Sequence, residues 1–155
     1  MDIRLDDLSG PDIARFLEEH IEDMKAASPP ESKHALDLEG LKHPSISFWT
    51  LWDGELLVGC GALKELDPQS GEVKSMRTAA HCRRRGAASR LLQHILHQAE
   101  QRGYRQLSLE TGSMAFFQPA RALYERFGFE YCGPFADYKL DPNSVFMTKH
   151  LRGMP

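Results

Sequence analysis

The sequence predicts a mixed α/β (α+β) fold, with a mostly antiparallel central sheet and helices that flank it. One observation is Asp53-Gly54 between two apolar, β-rich runs, which is a strong signal for an antiparallel hairpin. The other is a strand pattern at 72–78, followed by a helical pattern and by another strand pattern at 106–111. A strand, a helix and a strand in this order favour one parallel pair within the sheet.

Composition narrows the class of protein. The chain has 155 residues, of which 41% are hydrophobic and 26% charged, as expected of one globular domain spanning 1–155. The net charge of −3 disfavours a general nucleic-acid binder. No apolar run reaches the ~18 residues of a membrane span, and residues 1–10 are too acidic for a signal peptide. Three cysteines without a CxxC pair suit a reducing compartment, so we expect a cytoplasmic protein.

The N-terminal part is predicted to hold one strand and two helices. Weak alternation indicates a short strand at 2–8, which Ser9-Gly10-Pro11 interrupts. An apolar stripe at helical spacing then predicts a helix that ends at Ser28-Pro29-Pro30. A second, short helix is expected from about residue 31 to 41.

Three antiparallel strands are predicted next. The two hairpin strands cover 46–52 and 55–66, and two glycines within the second indicate a bend or a close approach of another segment. Residues 67–71 form a second turn, which returns the chain into the strand at 72–78.

The C-terminal half begins with a long helix, because apolar residues recur at helical spacing from 88 to 99 until Gly103 ends the pattern. Pro119 suits the first turn of a further helix. The predicted elements after Gly103 are a strand at 106–111, a helix at 120–127, and strands at 129–132 and 144–149.

The segment Arg83-Arg84-Arg85-Gly86-Ala87-Ala88-Ser89 lies where a strand leads into the long helix. A helix N-terminus presents unpaired backbone N–H groups and the positive end of the helix dipole, and small residues let a phosphate reach them. We interpret the segment as a candidate pyrophosphate site. A solvated basic face is the alternative, and it stays open here. Neither GxxxxGK[ST] nor GxGxxG occurs after a strand.

Two motifs carry a family resemblance. Arg83-x-x-Gly86-x-Ala88 resembles the Q/R-x-x-G-x-G/A signature of the GNAT superfamily of acyl-CoA-dependent N-acetyltransferases. Residues 120–129, ARALYERFGF, resemble that family's A-x-x-L-Y-E-x-x-G-F segment, and the order of elements agrees over nearly the whole chain. The resemblance implies the GNAT fold, in which the parallel strands splay apart. Three segments are more narrowly similar to YsnE-type bacterial acetyltransferases: 28–32, 59–66 and 108–112.

The resemblance implies acetyl-CoA as the co-substrate. In the family, the strand before the signature pairs with the pantetheine arm, and the pyrophosphate rests on N–H groups at the start of the helix. The implied cofactor-binding residues are Met76, Arg77, Thr78, Arg83, Arg84, Arg85, Gly86, Ala87, Ala88 and Ser89. No metal is expected: His94 and His97 have a spacing that can bind one, but they lie off the apolar stripe without a third ligand.

The resemblance also implies catalytic roles. Tyr124 would protonate the departing thiolate, because a phenol with a pKa of about 10 stays protonated at neutral pH. Glu72, eleven residues before Arg83, is the leading base for the acceptor ammonium, directly or through water, and Glu110 is the second. Ordinary packing for Tyr124 and a strand-entry carboxylate for Glu72 are the alternatives. We expect the amine to attack the thioester directly, without a covalent enzyme intermediate.

One position departs from the family pattern. Many relatives have an asparagine seven residues before the motif tyrosine, and Phe117 stands there in this chain. Either Ser113 or Gln118 takes over the contact with the cofactor, or the contact is absent and Phe117 is a core or wall residue.

Family members build the acceptor pocket from the first helices and the late loops. The implied substrate-binding residues are Glu31, Ser32, His34, Glu110, Asp137 and Tyr138. Glu31 and Asp137 suit a cationic acceptor, although the sequence favours a capping or turn role for each of them. The expected partner is a small-molecule or peptide amine, with no nucleic acid and no membrane. The identity of the amine, the use of acyl groups other than acetyl and a homodimer all stay open.

Two other interpretations are compatible with the sequence. A fold never proves turnover, so a non-catalytic acyl-CoA sensor or interaction module is the main alternative. Chemistry through the thiol of Cys82 or Cys132 is a weaker enzymatic alternative.

Overall fold

The computed structural model of the protein describes residues 1–27, 38–79 and 86–152. Within these ranges the chain alternates between strands and helices in the order that the sequence predicts. The strands are β1 (Asp2–Leu5), β2 (Ile46–Asp53), β3 (Leu56–Asp67), β4 (Ser70–Thr78), β5 (Gln106–Gly112), β6 (Glu130–Cys132) and β7 (Ser144–His150). The helices are α1 (Pro11–Ala27), α2 (Leu38–Leu41), α3 (Ala87–Gln101) and α4 (Gln118–Arg126), with a 3₁₀ turn at Ala115–Phe117.

The described strands form one seven-stranded sheet in the order β1-β2-β3-β4-β5-β7-β6. Strands β4 and β5 are parallel, and the other neighbouring pairs are antiparallel. The prediction of a mostly antiparallel sheet with one parallel pair is therefore confirmed. Helix α3 makes the crossover between β4 and β5, as a parallel connection requires.

The parallel pair separates halfway along. Its ladder joins Ser70–Val73 to the segment 106–109 and stops there, although β4 continues to Thr78 and β5 to Gly112. Beyond the ladder, each strand keeps its antiparallel partner on the other side, β3 for β4 and β7 for β5. A wedge therefore opens between β4 and β5, and its edges are backbone that no other described strand pairs.

A β-bulge in β4 accompanies this separation. Two residues of β4, Ser75 and Met76, oppose Gly61 of β3, and Ser75 has a left-handed φ of 56°. A side chain at position 61 would collide, since its Cβ would lie 2.7 Å from the Met76 sulfur. The Cys60 thiol donates to the Ser75 carbonyl at 3.2 Å, which fixes the bulged peptide. The bulge turns the end of β4 away from β5, and the glycine shows the close approach that the sequence indicated.

Helix α3 packs on one face of the sheet through its apolar stripe. Its buried residues meet side chains of β3, β4, β5 and β7, together with α4 and Phe129. This core cluster contains Leu63, Val73, Leu92, Ile95, Ala99, Leu107, Leu109, Leu123, Tyr124, Phe129 and Met147. Burial of these side chains holds both edges of the wedge in place.

Helices α1 and α2 cover the opposite face. Their buried Ile13, Phe16, Leu17 and Leu41 share a cluster with side chains of β2 and β3, including Ala62. Consecutive residues of a strand point to opposite faces, which is why Ala62 and the next residue, Leu63, belong to different clusters. No helix in the described part of the chain has the length and hydropathy of a membrane span.

The element boundaries differ slightly from those that the sequence predicts. The first strand ends at Leu5 rather than at residue 8, because the Asp6 carboxylate accepts from the backbone N–H of Leu8 at 2.7 Å and turns the chain. Helix α4 begins two residues earlier than predicted, with Pro119 in its first turn. Most of the second predicted helix, 31–37, lies outside the described residues.

Candidate active site

Three cavities follow one another around the wedge between β4 and β5, and each shares lining residues with the next. The first, about 730 Å³, runs from the start of α3 to the end of β4 and along α4. The second, about 100 Å³, lies deeper between the strands. The third, about 380 Å³, opens beyond it under the β6–β7 loop, residues 133–143. We call them the groove, the inner cavity and the outer cavity.

The groove ends at the N-terminus of α3. The backbone N–H groups of Ala87, Ala88 and Ser89 lie in the first turn, where a helix offers no carbonyl partner, and these residues line the groove. Gly86 precedes them with a left-handed φ of 81°, and a Cβ there would meet nothing within 4 Å. The site can hold an anion by its N–H groups and by the helix dipole.

The groove and the inner cavity meet at a shared set of residues. This junction consists of His20, Met76, Phe117, Ala120 and Tyr124. It brings together α1, the bulged part of β4, the 3₁₀ turn and α4. A ligand bound along the groove would therefore reach the inner cavity at the tip of the wedge.

Tyr124 lies at this junction on α4. Its side chain is 6% exposed, and its ring packs edge-on against Phe129, with centroids 5.7 Å apart. Burial raises the pKa of Tyr124 well above its ordinary value, and the nearby Glu110 raises it further. The phenol is therefore protonated at neutral pH and can donate a proton.

A buried ion pair forms one wall of the inner cavity. Lys74 Nζ donates to Glu72 Oε2 at 3.0 Å and to the Tyr138 hydroxyl at 2.9 Å, while that hydroxyl donates to the same carboxylate oxygen at 2.6 Å. The side chains of Glu72 and Lys74 are 3% and 9% exposed. Tyr138 comes from the β6–β7 loop, so this loop is fastened over the sheet at the wedge.

Glu110 faces the inner cavity from β5. Burial raises the pKa of Glu110 to about 7, against the opposing effect of the Lys74 ammonium. A carboxyl with this pKa exchanges its proton near neutral pH, which is the range in which a general base works well. The hydroxyl oxygen of Ser75, which lines the same cavity, is buried without a hydrogen-bond partner among the described residues.

His20 reaches the junction from α1. Burial, together with the neighbouring Arg77 guanidinium, lowers the pKa of His20 to about 4, so the imidazole is neutral at pH 7. Arg77 itself points to α1, where its Nη1 donates to Asp23 Oδ2 at 2.6 Å. The side chain of Arg77 is thus engaged with the helix, and its backbone remains along the groove.

Comparison with known proteins identifies the family. Residues 13–129 match the Acetyltransferase (GNAT) family. The chain belongs to the GNAT family. The matched span begins in α1 and ends just after α4, so it includes every described residue of the junction.

Two relatives of this GNAT chain are similar over almost their full lengths. It is 61% identical to the uncharacterized N-acetyltransferase YsnE of Bacillus subtilis (strain 168) over 151 residues, 97% of this chain and 100% of the relative. It is 51% identical to the uncharacterized N-acetyltransferase YedL of Escherichia coli (strain K12) over 146 residues, 94% and 92% of the two chains. The protein is accordingly an N-acetyltransferase.

Solved structures share the GNAT fold. A Klebsiella pneumoniae protein assigned as an acyl-CoA N-acyltransferase has a TM-score of 0.82 and 27% identity, and 97% of each chain is covered. An aminoglycoside 6′-N-acetyltransferase complexed with coenzyme A has a TM-score of 0.73 at 14% identity, over 100% of this chain and 99% of that one. The GNAT fold binds acyl-CoA, and the predicted GNAT-like fold is confirmed.

Many of the site residues expected from the GNAT resemblance lie at these cavities. Met76, Arg77, Thr78, Gly86, Ala87, Ala88 and Ser89 line the groove. Glu72, Glu110, Tyr124 and Tyr138 line the inner cavity, and Asp137 lines the outer one. The others, Glu31, Ser32, His34, Arg83, Arg84 and Arg85, lie outside the described residues. The catalytic and binding roles remain predictions.

The position that departs from the family pattern belongs to the wall. Phe117 lies at the junction, and a Cβ on Gly112 would stand 2.1 Å from its ring. Ser113 Oγ donates to the carbonyl of Pro142 at 2.8 Å, and Gln118 is not among the residues that line the groove. Neither side chain lines the groove in the described structure, and a contact of either one with the cofactor stays a prediction.

Neither Lys74 nor His20 was among the site residues expected from the sequence. The alternation of a strand places Lys74 on the same face as Glu72, which was an available signal. His20 had no comparable signal, because its place at the junction depends on how α1 crosses the sheet. Among the described residues, no group of three or more His, Cys, Asp and Glu side chains is placed to hold a metal ion.

Proposed function

We propose that the protein transfers the acetyl group of acetyl-CoA to an acceptor amine by direct attack of the amine on the thioester. One observation carries this proposal: the groove and the inner cavity meet at Tyr124, where β4 and β5 separate. A cofactor from one side and an amine from the other would come together at that point.

Acetyl-CoA would lie along the groove. Its pyrophosphate would accept from the N–H groups of Ala87, Ala88 and Ser89, which the first turn of α3 leaves without helical partners. Its pantetheine arm would pair with the backbone of 76–78, on the edge that β5 leaves unpaired. The groove, about 730 Å³, is of the size typical of a ligand pocket.

The acetyl group would then reach the junction. Once a base has taken a proton from the acceptor ammonium, the neutral amine nitrogen attacks the thioester carbonyl carbon and a C–N bond forms. The C–S bond then breaks, CoA leaves as a thiolate that takes a proton, and the nitrogen of the new amide releases its extra proton to solvent. Backbone N–H groups of β4 in the wedge would orient and polarise the carbonyl oxygen. Proximity of the two reactants supplies much of the acceleration in such a site.

We assign the base to Glu110, the second candidate of the sequence analysis. Its pKa of about 7 makes a large ionised fraction available at neutral pH, and it faces the inner cavity directly. The other candidate, Glu72, accepts hydrogen bonds at Oε2 from both Lys74 and Tyr138. Both bonds engage this oxygen in the wall of the cavity. Glu72 would then hold the cavity wall.

Tyr124 would donate the proton that the departing thiolate takes. Burial makes a thiolate more basic, just as it does a phenolate. Elsewhere in this protein, for example, burial raises the pKa of the Cys60 thiol to about 12. A CoA thiolate leaving into the same apolar junction would be basic in the same way and able to accept the phenolic proton. Solvent at the open end of the groove would restore the proton to Tyr124.

The remaining expectations belong to this proposal. We infer one domain across 1–155, supported by a single sheet that runs from β1 to β7. We infer action in the cytoplasm, supported by a buried Cys60 and an exposed Cys132 that both carry free thiols. The acceptor is an amine, as for GNAT acetyltransferases in general.

The test combines cofactor binding with turnover. Isothermal titration calorimetry with acetyl-CoA should give saturable binding to the purified protein, and a panel of amines should then release free thiol, detected with a disulfide reagent. Acetyl-CoA binding without thiol release from any amine would support the acyl-CoA sensor instead. Absence of acetyl-CoA binding would reject the proposed function.

A further inference from the structure

We propose that the acceptor of this enzyme carries a carboxylate close to its amine, as an amino acid does, and that Lys74 binds this carboxylate. The proposal rests on the proposed function, because it names the substrate class of the same site. It comes from the polar groups that line the inner and outer cavities.

Lys74 is the cationic residue that lines both the inner and the outer cavity, so it can bind an anion in either one. Its side chain is 9% exposed and lines both of them. An ammonium has three N–H donors. Glu72 and Tyr138 take two of the donors of Lys74, which leaves one without a partner among the described residues. The adjacent Ser75 lines the inner cavity too, and its buried hydroxyl also has no partner among them.

A buried ammonium with an unused donor favours an anionic ligand. Leaving a buried donor unpaired costs free energy, and a hydrogen bond to a carboxylate removes that cost. The ion pair with Glu72 already neutralises the charge of Lys74, so the wall needs no further counter-ion in the absence of ligand. A carboxylate that arrives with its own ammonium group preserves this balance.

The amine of such an acceptor would lie at Glu110. This carboxyl faces the inner cavity from β5, and Lys74 faces it from β4, near enough for the ammonium to act on the pKa of Glu110. An amine beside a base and a carboxylate beside an ammonium describe the two ends of a short zwitterion. The inner cavity, about 100 Å³, has room for these end groups and not for a large scaffold.

The outer cavity, which would receive the rest of such a molecule, has no net formal charge. Its charged residues are three lysines and three carboxylates: Lys64, Lys74, Lys139, Glu72, Asp137 and Asp141. Three positive and three negative groups give a formal charge of zero. A polycationic acceptor, such as a polyamine, would need an acidic cavity and would meet three ammonium groups here. A zwitterion would meet Glu110 with its amine and Lys74 with its carboxylate.

The experiment compares matched acceptors that differ by the carboxylate. Thiol release from acetyl-CoA is measured with L-phenylalanine and phenethylamine, L-leucine and isoamylamine, L-glutamate and 4-aminobutyrate, and L-lysine and cadaverine. We expect kcat/KM for the best amino acid to exceed that of its decarboxylated amine by roughly ten- to a hundredfold, the worth of a hydrogen bond to a charged group. The advantage should lie in KM for the acceptor.

The Lys74→Gln variant tests the assigned residue. It keeps a donor and removes the charge, so it should lower the ratio of kcat/KM between amino acid and amine by roughly tenfold or more. KM for acetyl-CoA should be unchanged. A merely structural role of Lys74 would depress both acceptors alike and leave the ratio intact. Lys42→Gln, which removes an exposed lysine paired with Glu39, is the control and should keep the wild-type ratio.

Two outcomes would overturn the inference. Decarboxylated amines or polyamines that match or exceed the amino acids would exclude a carboxylate requirement while leaving the acetyltransferase proposal intact. A ratio unchanged in Lys74→Gln would exclude Lys74 as the group that binds the carboxylate. Loss of acetyl-CoA binding in calorimetry would instead point to failure of the proposed function itself.

Discussion

The proton chemistry of the site depends on individual carboxyl groups and on their immediate neighbours. Glu72 and Glu110 lie on adjacent strands and face the same cavity. Glu72 is bonded to an ammonium and a phenol, whereas burial dominates at Glu110 and raises its pKa to about 7. Two chemically identical groups are therefore suited to different tasks, because their environments differ.

Activity should follow the ionisation of Glu110. As pH rises through about 7, the carboxyl loses its proton and becomes able to take one, so kcat/KM should rise and then level off. Glu110→Gln should lower kcat/KM by roughly 10²- to 10⁴-fold and abolish the inflection. The pH–rate profile with the fastest amine of the panel checks this. Glu55→Gln, an exposed hairpin position, should retain the inflection, and an inflection that persists in Glu110→Gln would reject Glu110 as the base.

The free energy of unfolding should also depend on the ionisation of Glu110, but it should fall as pH rises, whereas kcat/KM rises. The folded-state pKa of Glu110 is raised from 4.5 to about 7, so the folded state binds the proton more tightly than the unfolded state. This contribution to stability is present below about pH 4.5 and is lost as pH rises through about 7. The unfolding free energy of Glu110→Gln minus that of the wild type should therefore be larger at about pH 8 than at about pH 5, by about 1–3 kcal/mol. Urea denaturation at both pH values measures it, and an equal difference at both would contradict it.

Tyr124 should affect turnover and not cofactor affinity. Tyr124→Phe keeps the ring that packs against Phe129 and removes the proton donor. We expect kcat to fall by roughly 10²-fold or more, with an unchanged Kd for acetyl-CoA in calorimetry. Tyr131→Phe, at a position 56% exposed, is the matched control. A normal kcat in Tyr124→Phe would assign this tyrosine to packing alone.

Among the helices, α3 is the one proposed to hold the cofactor, and each of its ends is marked by a glycine in the left-handed region. Gly86 precedes the helix with φ 81°, and Gly103 follows it with φ 80°. Neither position would bring a Cβ within 4 Å of another group, so conformational strain is the common cost of a substitution at either one. The first glycine is at the groove, and the second is not among the groove residues.

These two glycines provide a matched pair of variants. Gly86→Val and Gly103→Val should each destabilise the protein by roughly 1–2 kcal/mol. Gly86→Val should also weaken acetyl-CoA binding by about tenfold or more, because a strained start of α3 misaligns its N–H groups. Calorimetry and urea denaturation separate the two effects. Equal affinities of the two variants for acetyl-CoA would contradict the proposed phosphate site at the start of α3.

On the scale of the whole molecule, one core supports both the sheet and the site. The cluster that contains Leu92, Ile95 and Leu107 also contains Tyr124 and Phe129. The packing of α3 and α4 against β4 and β5 therefore sets the width of the wedge. The three cavities follow one another across this sheet, so their order depends on the complete fold.

Truncation in this core should cost stability across the molecule. Leu92 is fully buried, and Leu92→Ala should lower the unfolding free energy by about 2–5 kcal/mol through lost burial and a residual cavity. Leu5→Ala, at a position 73% exposed, should change it by less than about 0.5 kcal/mol. Urea denaturation at one pH compares the two variants. A similar small loss in both would mean that α3 does not pack as described.

The sequence by itself determined the local elements and the start of α3, where the proposed cofactor site lies. Hairpin residues at 53–54, helical spacing from 88 to 99 and a proline at 119 predict neighbouring structure, because each acts on the backbone within a few residues. The start of α3 was predictable for the same reason. Its free N–H groups follow from where the helix begins, whatever else the chain does.

Only the tertiary structure decided the acceptor half. Lys74 meets Tyr138 across 64 positions of sequence, and Glu110 becomes a weak acid because other elements bury it. No local pattern encodes such neighbours. The pKa of a carboxyl and the pairing of a buried ammonium depend on desolvation and on charges brought together by folding. The family resemblance therefore favoured Glu72 as the base and indicated no role for Lys74.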